Sequence, residues 1–92
     1  VSAADFESTE QAVRAVLVES LSLDVARVDG FDADTQLFGS LPELDSMAVA
    51  GLLTALEDRL DIIIDDDEVD GEMLESFGAL LAFVERKLKL KR

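Results

Sequence analysis

The sequence predicts an all-α fold, a four-helix bundle of three main helices and one short helix, with a long loop between the first two main helices. Three observations predict it. Apolar residues recur at three- and four-residue spacing in three separate segments, within 8–22, 45–60 and 77–90. Each segment opens on, or directly follows, a Ser or Asp (Ser8, Asp45 and Ser76), residues whose side chains cap helix N-termini. Between the first two segments the pattern gives way to Asp, Gly, Ser and the chain's single Pro. A chain of 92 residues is enough for one modest core, so 1–92 reads as a single domain, with 1–7 a loose lead-in and 89–92 a basic end.

The first helix opens on Ser8-Thr9-Glu10-Gln11, which fits a capping box with Ser8 as N-cap and Gln11 three positions on. It is expected to run to about Ser22 and to bury Val13, Val16, Leu17 and Leu21, leaving Glu10, Arg14 and Glu19 in solvent. From Leu23 to Glu43 the turn residues Asp24, Asp29, Gly30, Asp32, Asp34, Gly39, Ser40 and Pro42 dominate. A connection of that length is unusual in a compact domain and points to a functional or anchored loop. Val25, Val28, Phe31, Leu37, Phe38, Leu41 and Leu44 are the residues that can pin it to the core, a few of them in a short helical turn.

Asp45 or Ser46 starts the second main helix, which ends near Leu60 and buries Leu52, Leu53, Leu56 and Leu60. Its first half is apolar nearly all round, so some of Met47, Ala48, Val49 and Gly51 must be exposed or lie against a partner. Glu57, Asp58 and Asp61 oppose the dipole at the C-terminal end, a small cost that is tolerable where acids serve recognition. Ile62-Ile63-Ile64 is β-branched and reads as an extended connector, Ile62 and Ile64 on one side and Ile63 on the other. A short helix is expected between Asp66 and Leu74. Ser76 caps the last helix, whose inner stripe is Phe77, Leu80, Leu81, Val84 and Leu88 and whose basic end suits a helix C-terminus.

Composition narrows the function. The chain has no Cys and no His, so it lacks a thiol nucleophile, a disulfide framework, the usual general base and the commonest transition-metal ligand. Carboxylate pairs remain, but they need a cleft that so small a domain seldom provides. No catalytic residue is assigned, and the chain is not read as an enzyme. The apolar fraction of 49% argues for a folded core despite a net charge of −13. Arg86, Lys87, Lys89, Lys91 and Arg92 hold most of the positive charge at one end; elsewhere only Arg14, Arg27 and Arg59 oppose 21 acids. Such a body repels nucleic acid and anionic membranes and attracts proteins with basic patches. No apolar stretch is long enough to span a membrane and no signal-peptide pattern opens the chain, so a cytoplasmic, monomeric protein is expected.

One short stretch carries the chemistry. In Leu44-Asp45-Ser46-Met47 a serine stands at a helix start, where unpaired N–H groups and the dipole favour an anion such as a phosphate ester. Capping is the plainer reading of an isolated Asp-Ser pair. Asp66, Glu68, Asp70 and Gly71 follow the spacing of the first half of an EF-hand loop, but Phe77 stands where the bidentate Glu is required, so no metal site is assigned. The apolar stripes read as core; a bundle with such walls can also part to admit an acyl chain, at a gain of about 0.8 kcal/mol per buried methylene. The alternating Lys87-Leu88-Lys89-Leu90-Lys91 reads as a solvated helix end, too short for stable membrane attachment.

Taken together, Val13-Arg14-Ala15-Val16-Leu17, Asp34-Thr35-Gln36-Leu37-Phe38, Leu44-Asp45-Ser46-Met47, the run from Ala55 to Ile64, Asp66-Asp67-Glu68 and the closing helix from Phe77 resemble an acyl carrier protein. The match extends from about Ser8 to Leu88, and the order and spacing of these pieces are more specific than Asp-Ser alone. The resemblance implies that a phosphopantetheinyl transferase, with Mg²⁺, moves 4′-phosphopantetheine from coenzyme A onto Ser46, with Asp45 part of the attachment motif. It implies acyl cargo held as a thioester and presented to acyl-loading and acyl-processing enzymes with basic patches, which accounts for a chain without Cys or His. It places partner contacts at Met47, Ala48, Glu57 and Asp58. Three departures stand out: Glu43 replaces the family's usual Gly three residues before the serine, Ala48 and Gly51 replace acids of the recognition helix, and the segment from Glu68 to Phe77 is slightly long. The second points to a dedicated carrier of a specialised pathway. The alternative is an acidic helical interaction module without a covalent cofactor, tuned by divalent ions.

Overall fold

A computed structural model describes residues 9–91; the expected Ser8 cap and the lead-in 1–7 lie outside them. Four α-helices follow in order: α1 (Thr9–Leu21), α2 (Val25–Asp29), α3 (Ser46–Leu60) and α4 (Phe77–Lys91), with one 3-10 turn at Asp66–Glu68. α1 is the centre of the bundle and packs against the other three. Its stripe of Ala12, Val13, Val16, Leu17 and Leu21 is buried, as the helical spacing dictates. Leu52 and Leu56 of α3, and Phe77, Leu80, Phe83 and Val84 of α4, complete the core. Leu53, Leu60, Leu81 and Leu88 are half-buried at its edge. Phe83 is an addition to the stripe expected for α4.

α1 and α3 end the same way. Ser22 and Asp61 each adopt left-handed backbone, with φ of 55° and 53°. The next residue folds its N–H back: Leu23 to Val18 O at 3.1 Å, and Ile62 to Glu57 O at 3.2 Å. These six-to-one bonds satisfy carbonyls that the helix end would leave orphaned, and the buried Leu23 and Ile62 supply the apolar contact of such caps. Beyond Asp61 the connector alternates as expected, Ile62 buried, Ile63 exposed and Ile64 half-buried.

The connection from Ser22 to Asp45 is anchored throughout its length. Asp24 caps α2 by accepting from Ala26 N–H at 3.2 Å. Val28, Phe31, Leu37, Leu41 and Leu44 are buried, whereas Val25 and Phe38, also expected to be pins, are exposed. Arg14 corrects a second expectation. It does not lie in solvent: its guanidinium donates to Val28 O and, at 2.9 Å, to Phe31 O, and it stands 4.5 Å over the ring of Phe77. Glu10, one turn earlier, pairs with it at 2.8 Å. One side chain thus joins α1, the connection and α4, using the fork of donors that only arginine has.

The start of α4 is built by the same connection. Phe77 N–H donates to Thr35 O at 2.8 Å and Gly78 N–H to Ala33 O at 3.1 Å. Ser76 caps as expected, its Oγ accepting from Ala79 N–H at 3.1 Å. Gly78 is required by this approach, since a Cβ there would meet Ala33 O at 2.8 Å. An isolated antiparallel bridge pairs Gln36 with Ser76.

The helical turn expected in the first connection forms as α2, whereas the short helix expected between Asp66 and Leu74 is reduced to the 3-10 turn followed by further turns. The cause is local competition for N–H groups: Glu68 Oε1 accepts from Asp65 N–H at 3.0 Å and Asp70 Oδ1 from Met73 N–H at 3.0 Å. Acidic side chains that bond nearby backbone in this way favour turns over helix, and Gly71 weakens the helix further.

Candidate functional site

The first connection delivers Asp45 and Ser46 to the mouth of α3. Gly39, with φ 92°, turns the chain so that Leu41 N–H reaches Leu37 O at 2.8 Å. Leu41 and Leu44 are then buried on either side of Pro42 and Glu43. Glu43, where the family's usual glycine is missing, pairs with Arg27 of α2 at 2.7 Å. The hydrogen bond from Arg27 is the first reason its carboxyl is held below the ordinary value. Asp45 has extended backbone and accepts from Ala48 N–H through Oδ1 at 2.8 Å, so it is the N-cap. Ser46 is the first residue of α3 and is exposed.

Around that hydroxyl the surface is apolar. Met47 is 86% exposed, and Ala48 and Val49 are half-buried. Ser46 also lines a groove of about 330 Å³ whose other walls are Phe38, Val49, Val69, Asp70, Gly71 and Leu74. A cleft of about 360 Å³ between α1 and α2 lies elsewhere and holds none of the expected site residues. Phe38 is the site residue that sequence reasoning misplaced. Its exposure follows from the pairing: next to Leu37 in a segment that bridges to Ser76, it faces the opposite side, and no spacing in the sequence signals that bridge.

The expected partner residues separate in the structure. Met47 and Ala48 lie beside Ser46, with Glu57 and Asp58 about three turns along α3. Asp58 is exposed, but Glu57 is half-buried and accepts from Ile64 N–H at 2.8 Å, so it holds the connector. Phe77, at the twelfth position of the EF-hand-like run, is buried in the core. Among the described residues no three acids converge on a point that could hold a metal ion, and no helix is long and apolar enough to cross a membrane.

The geometry is thus an exposed serine that follows the aspartate N-cap of α3, in a small four-helix bundle with a long first connection. Neither a protein-family model nor a curated protein matches the chain. A solved structure does: the solution NMR structure of a holo acyl carrier protein from Nitrosomonas europaea is 42% identical, with a TM-score of 0.80. The match covers 90% of this chain and 99% of that one. The chain belongs to the acyl carrier protein family.

Proposed function

We propose that Ser46 bears a 4′-phosphopantetheine arm and that the protein presents acyl groups to enzymes of fatty-acid, polyketide or related biosynthesis, without catalysing a reaction itself. The observation that carries this reading is the exposed Ser46 hydroxyl at the first position of α3, in a chain of this family. The arm supplies the thiol, absent from the chain, on which cargo is held as a thioester. The residues fit it. Asp45 fixes the first turn of α3 and leaves Ser46 outward; the N–H groups of that turn lie at the positive end of the helix dipole, favourable to a phosphodiester. Met47 and Ala48 offer partner enzymes an apolar contact, and Asp58 further along α3 offers a charge for basic patches.

Incubation with coenzyme A, Mg²⁺ and a broad-range phosphopantetheinyl transferase should add one arm per chain by intact mass. Ser46→Ala should abolish the gain while changing stability by less than about 0.5 kcal/mol, as expected for an exposed position. Uptake by the alanine variant, or none by the parent, overturns the assignment.

A further inference from the structure

The groove beside Ser46 has walls of unequal strength. Ser46 and Val49 belong to α3, and Phe38 is fixed by its N–H bond to Leu74 O at 2.9 Å. The remaining wall, Val69 to Gly71, belongs to the connection between α3 and α4. That segment is tied at its start by Ile64 N–H to Glu57 Oε2, and at its end by the buried Met73 and Leu74. Its middle also borders a second cleft, of about 200 Å³, lined by Glu68, Asp70 and Met73 of the connection and by Ala82, Phe83 and Arg86 of α4. Lys87 of α4 reaches back to this segment, its Nζ 2.7 Å from Glu68 Oε1, with the two side chains only 15% and 29% exposed. The same carboxylate oxygen accepts from Asp65 N–H at 3.0 Å, so the lysine grips the group that closes the 3-10 turn.

We propose that Lys87 is a positioning residue for the Ser46 groove: by holding Glu68 it fixes the Val69–Gly71 wall, and its release frees that wall to move and unshelters an apolar chain carried at Ser46. The inference rests on the reading of Ser46 as the attachment site. The wall itself can be tested without it.

Amide exchange on the unmodified protein is the first measurement. Lys87→Gln should speed exchange at the Asp65 and Glu68 amides about two- to fivefold, the scale expected of one partly exposed ion pair, and leave α1 amides unchanged. Lys87→Arg, which keeps a cation opposite Glu68 and leaves the acceptor for Asp65 N–H in place, should retain rates near the parent's, which a merely structural loss at Lys87 would not allow. The second measurement uses protein loaded with a medium-chain acyl thioester. Lys87→Gln should shorten its lifetime in hydroxylamine while an acetyl thioester, too short to be sheltered, reacts at the parent rate. Parent-like exchange in Lys87→Gln overturns the proposal, as does faster exchange with no change in the lifetime of the longer cargo. A parent that takes up no arm shows instead, by mass and before either comparison, that the attachment reading has failed.

Discussion

The two long connections of this bundle are made of similar residues and do opposite things. The first, from Ser22 to Asp45, buries Val28, Phe31, Leu37, Leu41 and Leu44, contains α2, and gives two carbonyls to Arg14 and two more to the start of α4. The second, from Asp61 to Ser76, buries Ile62, Met73 and Leu74, contains one 3-10 turn, and is held at its middle by the Lys87–Glu68 pair. Both border the groove at Ser46. The first is therefore suited to fixing where the serine stands, and the second to yielding when something must pass beside it. Stability of this uneven kind is the norm where one segment must move and its neighbour must not.

Removing Arg14 is the strongest way to break that contrast. Arg14→Ala deletes two charge-assisted bonds to backbone carbonyls and a contact over the Phe77 ring. We expect a loss of about 2–3 kcal/mol by denaturant unfolding. Lys at this position should recover only part of it, since an ammonium cannot span both carbonyls. If Arg14→Ala costs no more than a surface substitution, the first connection is held by its leucines alone.

Arg14 also shows where sequence reading stops. The α1 stripe, the Asp45 and Ser76 caps, the alternation of Ile62 to Ile64 and the exposure of Ser46 follow from spacing and local chemistry, and all were legible. Arg14 was not, because its carbonyl partners lie fourteen and seventeen residues away and a charged side chain beside an apolar stripe ordinarily faces water. The helix expected in 66–74 came out only as a 3-10 turn for a local reason: acids that bond neighbouring N–H groups compete with α-helix there, while Asp24 caps the helical turn α2 in the first connection. The groove wall at Phe38 required knowing that Gln36 meets Ser76, a pairing no periodicity announces. Ser46 itself was legible as an exposed helix start, and the proposal that it is the attachment site came from the family resemblance.

Two glycines sharpen the comparison at a smaller scale. At Gly78, where α4 presses on the first connection, a Cβ would lie 2.8 Å from Ala33 O and 2.9 Å from Ala33 Cβ. Backbone must shift to accept it, so Gly78→Ala should destabilise by about 1–3 kcal/mol. At Gly71, in the second connection, a Cβ would meet nothing within 4 Å. Gly71→Ala should fall within about 0.5 kcal/mol of the parent in thermal unfolding. Equal costs at the two sites would contradict the assignment of tight and loose connections.

Acid offers the smallest and most selective effect. In each connection a carboxylate is held below the ordinary value of 4.5, Glu43 by the hydrogen bond from Arg27 and Glu68 by that from Lys87, with Asp65 N–H and the charge of Arg86 adding to the second. A carboxyl whose folded value is depressed stabilises the fold fully above its unfolded value, and the contribution is lost as pH falls through the folded one. Both pairs should therefore weaken below about pH 4.5, not near neutrality. In the first connection the buried leucines and the carbonyls gripped by Arg14 do not titrate, so protection of the Phe31 and Leu41 amides should persist. In the second, Glu68 carries both the pair with Lys87 and the bond from Asp65 N–H; Asp70 and Glu72 border the same cleft. Protection factors at Asp65 and Glu68 should fall first as pH is lowered from 6 toward 3. Lys87→Gln, which lacks the pair at every pH, should show a smaller fall than the parent. A fall of equal size in both proteins would assign the acid response to carboxyls acting without Lys87, the bond from Asp65 N–H to Glu68 included, and remove Lys87 from it.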